Sequence, residues 1–167
     1  YIDLYSNFIL KKQIKNQIDN FIDGFYSLID SNVIKIFNFE EIDSILFGMP
    51  KIDINDFKQN ATFIKPYTDD TPVIKLFFDV IEKWSNEDLE KLLLFMTGSS
   101  RIPANGFKEF CLLTGNKLTI QPGGDRSLLP QAHTCFNILC LPQYETEEEM
   151  NHKLHQAIQL CNTFELK

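Results

Sequence analysis

The sequence contains no long hydrophobic run and no basic cluster. The longest apolar stretches, such as Leu92–Met96, are far shorter than the roughly 20 residues of a membrane-spanning helix. The 16 Lys and Arg residues are outnumbered by 23 Asp and Glu residues, for a formal net charge of −7, whereas a protein that neutralises nucleic-acid phosphates presents a basic surface. We therefore expect neither a nucleic-acid partner nor a membrane partner. No charged-then-apolar leader opens the sequence, so we expect a cytoplasmic location, or a nuclear one.

Cysteine is scarce, and its spacing matches no metal-binding or redox motif. The four cysteines stand at positions 111, 135, 140 and 161, with neither a C-x-x-C pair nor zinc-ribbon spacing. His133, Cys135 and Cys140 together supply only three ligands, whereas a structural zinc site uses four. We therefore expect no metal site and no cofactor.

The sequence does supply enough apolar material for a packed core. Of its 167 residues, 44% are hydrophobic and 13% are aromatic, which is typical of a globular domain and not of a disordered chain. The chain begins with Tyr1 and not with Met, so we expect it to be part of a longer protein.

Periodic apolar positions predict several helices and few strands. Spacing of threes and fours places apolar residues on one face of each predicted helix, whereas alternation indicates a strand. The predicted helices cover residues 1–29, 38–48, 71–84, 85–98 and 145–161, and the predicted strands cover 118–120 and 135–141. Residues 52–72 are predicted to be turns and loop. The expected fold is α+β: an all-helical segment, followed by a small mixed lobe in which helices flank a short, few-stranded sheet.

Helix boundaries are marked by capping residues. Asn38 with Glu41, and Thr146 with Glu149, have the spacing of capping boxes. Gly48 is predicted to end the second helix, as glycine commonly does.

Cys135 is the cysteine best placed for chemistry. Cys111, Cys140 and Cys161 lie among apolar residues, and burial makes a thiol inert. Cys135 instead follows a polar, proline-containing loop, where reactive thiols are commonly found. If the chain is extended there, the side chains of His133 and Cys135 point to the same side, about 7 Å apart.

Thioester exchange suits this thiol better than amide hydrolysis. Neither a strong general base nor a Gly-rich oxyanion loop adjoins Cys135 in the sequence. Attack on an amide requires acid assistance to the leaving amine, whereas a thiolate leaves a thioester readily.

Motifs in a consistent order surround Cys135. They are LPQAHTCFNILCLPQY at 129–144, LLLFMTGSSRIPANGF at 92–107 and FEEIDSILFG at 39–48, preceded by the helical pattern of residues 1–29. In this combination the chain resembles the HECT-type ubiquitin ligases over essentially its whole length.

The resemblance implies a domain organisation. Residues 1–48 would end the amino-terminal lobe, Met49, Pro50 and Lys51 would form the interlobe hinge, and residues 52–167 would be the complete carboxy-terminal catalytic lobe. The part of the amino-terminal lobe that docks the ubiquitin-conjugating enzyme would lie before residue 1. Helices before the hinge would then lack packing partners, so we expect self-association, a swapped packing, or contact with the carboxy-terminal lobe.

The resemblance also implies the catalytic chemistry. Cys135 would accept ubiquitin as a thioester from a ubiquitin-conjugating enzyme and transfer it to a lysine of a protein substrate. The implied supporting residues are His133, Thr134, Phe136, Asn137, Arg101 and Phe164. The sequence departs from many relatives in having Cys140 at a position that is often acidic, and Glu165 where glycine is common.

Two other interpretations remain open. A non-catalytic lobe that binds ubiquitin or acts as a scaffold would keep the fold without the activity. An unrelated cysteine hydrolase would need a base and an oxyanion site that the sequence does not show.

Overall fold

The computed structural model describes residues 2–49 and 51–164, except for the side chains of Leu10 and of residues 161–164. The chain divides into two compact units, Tyr1–Asp43 and Ser44–Lys167. In the part of the chain that is described, no helix is both long enough and apolar enough to cross a membrane.

The first unit is helical. It contains α1 (Ile2–Asn7), a π-helical segment (Phe8–Lys12), α2 (Lys15–Leu28), α3 (Ser31–Ile34) and the start of α4 (Phe39–Phe47). The prediction of helix over residues 1–29 is confirmed for most of residues 2–28, although the α-helix is interrupted between Asn7 and Lys15. None of the residues of α1, α2 and α3 is buried, so the apolar stripe of α2 is left uncovered.

Helix α4 begins and ends as its sequence predicts. The backbone N–H of Glu41 donates to Asn38 Oδ1 at 2.9 Å, and the N–H of Asn38 donates to Glu41 Oε2 at 2.8 Å, so the capping box is confirmed. Gly48 follows the helix with φ +83°. A Cβ there would lie 2.2 Å from the carbonyl oxygen of Ile102, and this close approach is possible only for glycine.

The predicted hinge residues follow Gly48 directly. The N–H of Met49 donates to Ile102 O at 2.7 Å, Lys51 is exposed, and Pro50 lies outside the described residues. The two units divide between Asp43 and Ser44, inside α4. The lobe boundaries implied by the resemblance stay a prediction.

The second unit packs helices around a small sheet. Its elements are α5 (Ile54–Asn60), β1 (Ala61–Phe63), α6 (Pro72–Ile81), α7 (Asn86–Thr97), α8 (Gly106–Thr114), β2 (Leu118–Pro122), β3 (Gln131–His133), β4 (Ile138–Leu141) and α9 (Glu147–Phe164). The α+β prediction is confirmed. Helices α6 and α7 both pack on α9, and α7 also contacts β3 and β4.

The sheet has four strands in the order β1-β2-β4-β3. Strands β1, β2 and β4 are parallel, and β3 pairs antiparallel with β4, placing Gln131 opposite Cys140 and His133 opposite Ile138. Central strands β2 and β4 bury Leu118, Ile120, Leu139 and Leu141 completely, as apolar central strands covered by helices do.

Aromatic side chains form part of the core of the second unit. The rings of Phe57 and Phe107 stack with centroids 5.1 Å apart, and Phe77 and Phe78 both meet Phe57 edge to face. Such pairs add to the free energy gained by burying their area. The core thereby joins α5, α6 and α8.

Several element predictions were wrong. Residues 52–72 contain α5 and β1, and are not only turns and loop. The strand predicted over 135–141 begins at Ile138, and Phe136 is 61% exposed. The helix predicted over 71–84 ends at Ile81, before Trp84.

Candidate active site

A short turn between β3 and β4 carries Cys135. Thr134–Phe136 form one turn of 3₁₀ helix, which ends at Asn137 with φ 54° and ψ 41°. The N–H of Asn137 donates to Thr134 O at 3.3 Å. Asparagine tolerates this left-handed conformation better than most residues, so Asn137 allows the chain to turn directly from the 3₁₀ helix into β4.

The structure separates Cys135 from the other described thiols. Cys135 is exposed, Cys111 is partly buried, and all three described cysteines are free. Cys140 is only 7% exposed, and Gln121 Nε2 lies 3.2 Å from its sulfur. The predicted exposure of Cys135 is confirmed, whereas the prediction of a core position for Cys111 holds only in part.

The histidine before Cys135 does not lie with it on one extended strand. His133 ends β3 and the 3₁₀ turn begins at Thr134, so the condition for a same-side placement of the two side chains is not met. Both His133 and Thr134 are exposed. No group of three or more His, Cys, Asp or Glu side chains in the described residues is arranged to hold a metal ion.

The turn rests on Asn137, which is buried to 2% exposure. Its Nδ2 donates to Thr114 Oγ1 at 2.9 Å and to Asn116 O at 3.2 Å. Its carbonyl accepts from the N–H of Thr119 at 2.9 Å. Asn137 therefore connects the turn both to the segment after α8 and to the start of β2.

The segment after α8 also reaches the turn through Asn116. The Nδ2 of Asn116 donates to the carbonyl of Cys135 and to that of Thr114, each at 3.2 Å. Sequence reasoning missed both Thr114 and Asn116. Nothing in the sequence indicates that residues about 20 positions before Cys135 would contact its turn.

The loop after α7 lies beside the same turn. Gly98 ends α7 with φ +77°, and a Cβ there would lie 4.0 Å from Thr134 Cβ. Arg101 is half-buried, and its carbonyl accepts from Ser99 Oγ at 2.9 Å. This places the backbone of the T-G-S-S-R loop next to the turn that carries Cys135.

The loop that leads into β3 is tied to α9. Arg126 Nε lies 2.9 Å from both Glu149 oxygens, and hydrogen bonding to Arg126 lowers the pKa of Glu149 below its ordinary value. Lys153 Nζ donates to Ser127 O and Tyr144 OH donates to Leu128 O, each at 2.7 Å. These contacts fix the approach to the cysteine turn.

The remaining histidines lie on α9. The ring of His155 lies 4.3 Å from that of Trp84, and its Nδ1 lies 2.9 Å from Asn151 O. His152 is exposed on α9. Phe164 ends α9, but its side chain lies outside the described residues, as does all of Glu165.

Known proteins are similar to this sequence over most of its length. The HECT-domain (ubiquitin-transferase) family model matches residues 1–167. The E3 ubiquitin-protein ligase pub1 of Schizosaccharomyces pombe is 38% identical over 160 residues, which are 95% of this chain and 21% of that protein.

Relatives from other organisms agree. The E3 ubiquitin-protein ligase UPL1 of Arabidopsis thaliana is 39% identical over 95% of this chain and 4% of its own length. The E3 ubiquitin-protein ligase RSP5 of Chaetomium thermophilum is 37% identical over 95% of this chain and 19% of its own length. The chain thus spans about a fifth of the length of pub1 and of RSP5, and 4% of the length of UPL1. Since the family model covers the whole sequence, the chain belongs to the HECT-domain (ubiquitin-transferase) family.

Proposed function

We propose that this chain is the catalytic end of a ubiquitin-protein ligase, with Cys135 as its nucleophile. The observation that carries the proposal is the free, exposed thiol of Cys135 on a 3₁₀ turn held by Asn137 and Asn116. A nucleophile that receives its cargo from another protein needs such exposure. The proposed partners are ubiquitin, a ubiquitin-conjugating enzyme and protein substrates.

The proposed reaction has two acyl transfers. In the first, the thiolate of Cys135 attacks the thioester carbonyl at the end of ubiquitin, a new sulfur–carbon bond forms, and the thiolate of the conjugating enzyme leaves. In the second, a neutral substrate lysine amine attacks the new thioester. The carbon–nitrogen bond of an isopeptide forms, the thiolate of Cys135 leaves, and the attacking nitrogen loses a proton. Covalent catalysis of this kind divides one transfer into two steps.

The membership of the family supports this assignment. The relatives are named E3 ubiquitin-protein ligases, in fungi and in a plant. In the proposed site, Thr134, Phe136 and His133 shape the surroundings of the thiol, and Asn137 fixes the turn. Arg101 contributes through the loop beside Thr134, and Phe164 through the end of α9.

Met49, Pro50 and Lys51 are proposed as the hinge that lets the catalytic unit change its orientation. Gly48 closely approaches Ile102, and Met49 donates a hydrogen bond to it. Since Ile102 lies within the proposed catalytic lobe, a change of orientation at this hinge would break the Met49–Ile102 hydrogen bond.

We place this activity in the cytoplasm or nucleus, with neither nucleic acid nor membrane as a partner. The net charge of −7 supports the first exclusion. We also propose that the 167-residue chain, taken alone, self-associates through the exposed apolar residues of its first unit.

The test is formation of a ubiquitin adduct by the full-length protein that carries this chain. A conjugating enzyme charged with ubiquitin should produce an adduct that thiol reductant releases. Cys135→Ala should form none, and Cys135→Ser should form an oxyester that resists reductant. Cys111→Ala, which changes another thiol that is not fully buried, should behave as wild type.

The outcome also separates the competing interpretations. A non-catalytic lobe would form no adduct in any variant, although ubiquitin would still bind. A hydrolase would release free ubiquitin from the charged conjugating enzyme, and the lysines of protein substrates would stay unmodified. A reductant-sensitive adduct that persists in Cys135→Ala would refute the assignment of the nucleophile.

A further inference from the structure

The side-chain amide of Asn116 holds the backbone of Cys135. Its Nδ2 lies 3.2 Å from the carbonyl oxygen of Cys135 and 3.2 Å from that of Thr114. The two hydrogens of this amide can therefore serve the two carbonyls. One side chain thus connects the end of α8 with the cysteine turn.

The contact matters because the thiol is exposed. Packing does not fix an exposed side chain, so the position of Sγ depends on the backbone from which it projects. A peptide group is planar, and a hydrogen bond to the Cys135 carbonyl therefore orients the whole peptide between Cys135 and Phe136. Asn116 is the side chain that supplies this bond.

The residues that support Asn116 are themselves hydrogen-bonded. Thr114 Oγ1 donates within α8 to Phe110 O at 2.9 Å and accepts from Asn137 Nδ2 at 2.9 Å. The Asn116 carbonyl accepts from the same Asn137 amide at 3.2 Å. Asn116 thus donates to the cysteine turn, and Asn137 donates back to Thr114 and Asn116. The turn and the end of α8 therefore form one hydrogen-bonded unit.

We propose that Asn116 is a positioning residue for acyl transfer, which orients the Cys135 turn so that the sulfur meets the incoming thioester at a productive angle. This proposal rests on the proposed function. Asn116 touches no reacting atom. Its effect is on the geometry of attack, to which transfer rates are sensitive.

The prediction is a lower rate constant with unchanged binding. Asn116→Ala removes the amide, and Asn116→Asp keeps its shape while removing both donated hydrogens. In single-turnover transfer from a charged conjugating enzyme to the full-length protein, each variant should lower the rate constant at saturation by about tenfold. The concentration of charged enzyme at half-saturation should stay within about twofold, as expected for a loss confined to the transfer step.

A matched control comes from the opposite end of the same helix. Asn105 precedes α8 and makes no side-chain capping hydrogen bond, so Asn105→Ala should transfer at the wild-type rate. The amplitude of adduct formation reports the folded, active fraction separately from the rate constant. A merely structural defect would lower the amplitude and leave the rate constant of the remaining molecules unchanged.

The two proposals fail in different ways. If wild type forms no adduct on Cys135, the proposed function is wrong. If wild type forms the adduct while Asn116→Ala and Asn116→Asp keep rate constants within about twofold of it, or lose only amplitude, the positioning role alone is overturned.

Discussion

Asn137 combines three demands that few residue types can meet. It has a positive φ, it is buried, and its side chain donates two hydrogen bonds. Among the described residues it is the only one other than glycine with positive φ. Asparagine at the last position of the H-T-C-F-N motif therefore suits both the backbone conformation and the hydrogen bonds that this position requires.

Substitution of Asn137 separates these two contributions. Asn137→Ala should lower the free energy of unfolding by about 2–3 kcal/mol, since it loses the hydrogen bonds and strains the left-handed backbone. Asn137→Gly loses only the hydrogen bonds and should cost about 1–2 kcal/mol less than Asn137→Ala. Urea unfolding of the 167-residue chain measures both differences.

The control for this pair is Asn55→Ala. Asn55 is exposed on α5, where such changes stay within about 0.5 kcal/mol. Equal unfolding free energies for the alanine and glycine variants of Asn137 would contradict the role assigned to its backbone conformation.

Helix α8 is held at both ends by residues from distant parts of the sequence. At its carboxyl end, Asn137 bonds to Thr114. At its amino end, Asp56 Oδ2 accepts from the N–H of Phe107 at 2.7 Å, and its Oδ1 accepts from Asn60 Nδ2 at 2.8 Å. A carboxylate at the start of a helix is favourable both as a hydrogen-bond acceptor and through the helix dipole.

Removal of this cap should destabilise the second unit. Asp56→Ala should lower the free energy of unfolding by about 1–2 kcal/mol, the usual cost of a lost helix cap. Asp56→Asn keeps a carbonyl acceptor but carries no charge, and should lower the free energy of unfolding by less than Asp56→Ala. Denaturant unfolding measures the change, with Asp69→Ala, an exposed aspartate, as control. A wild-type midpoint for Asp56→Ala would show that α8 needs no cap from α5.

Elements with local signals could be predicted from the sequence. Ser85 accepts from the N–H of Asp88 and Gly98 ends α7, and Thr146 accepts from the N–H of Glu149 at the start of α9. These signals lie within four residues of the boundary they mark. In contrast, α5 buries only Phe57, which is too little for a periodic pattern, and β1 is a three-residue strand that depends on pairing with distant β2.

The candidate site could be predicted only in part, because some of its contacts depend on residues that are distant in the sequence. The polar loop before Cys135 predicted its exposure, and the motif around it predicted its role as the nucleophile. The 3₁₀ turn has three residues and therefore no periodicity. The contact of Asn116 with Cys135 arises only when β2 and β4 pair, because that pairing brings the segment before β2 to the segment before β4.

The first unit presents apolar surface that would be covered in a stable soluble assembly. Phe21 is 73% exposed and Leu28 is 89% exposed on α2, and Phe39 is 81% exposed at the start of α4. A soluble monomer rarely exposes a large contiguous apolar patch. A second copy of the chain offers the same apolar residues and can cover them by a symmetric contact.

We therefore expect the 167-residue chain to form dimers or larger assemblies. Light scattering coupled to size exclusion should give a mass above 19.4 kDa that falls on dilution. Phe21→Glu combined with Leu28→Glu should weaken association by at least about tenfold, because each change removes an apolar side chain worth roughly 1.5–3 kcal/mol when buried. Asn16→Glu with Asn20→Glu adds the same charge to α2 without removing apolar area, and should leave the mass unchanged. A wild-type chain that stays monomeric at every concentration, with its helical circular dichroism intact, would show that the exposed face of α2 needs no cover.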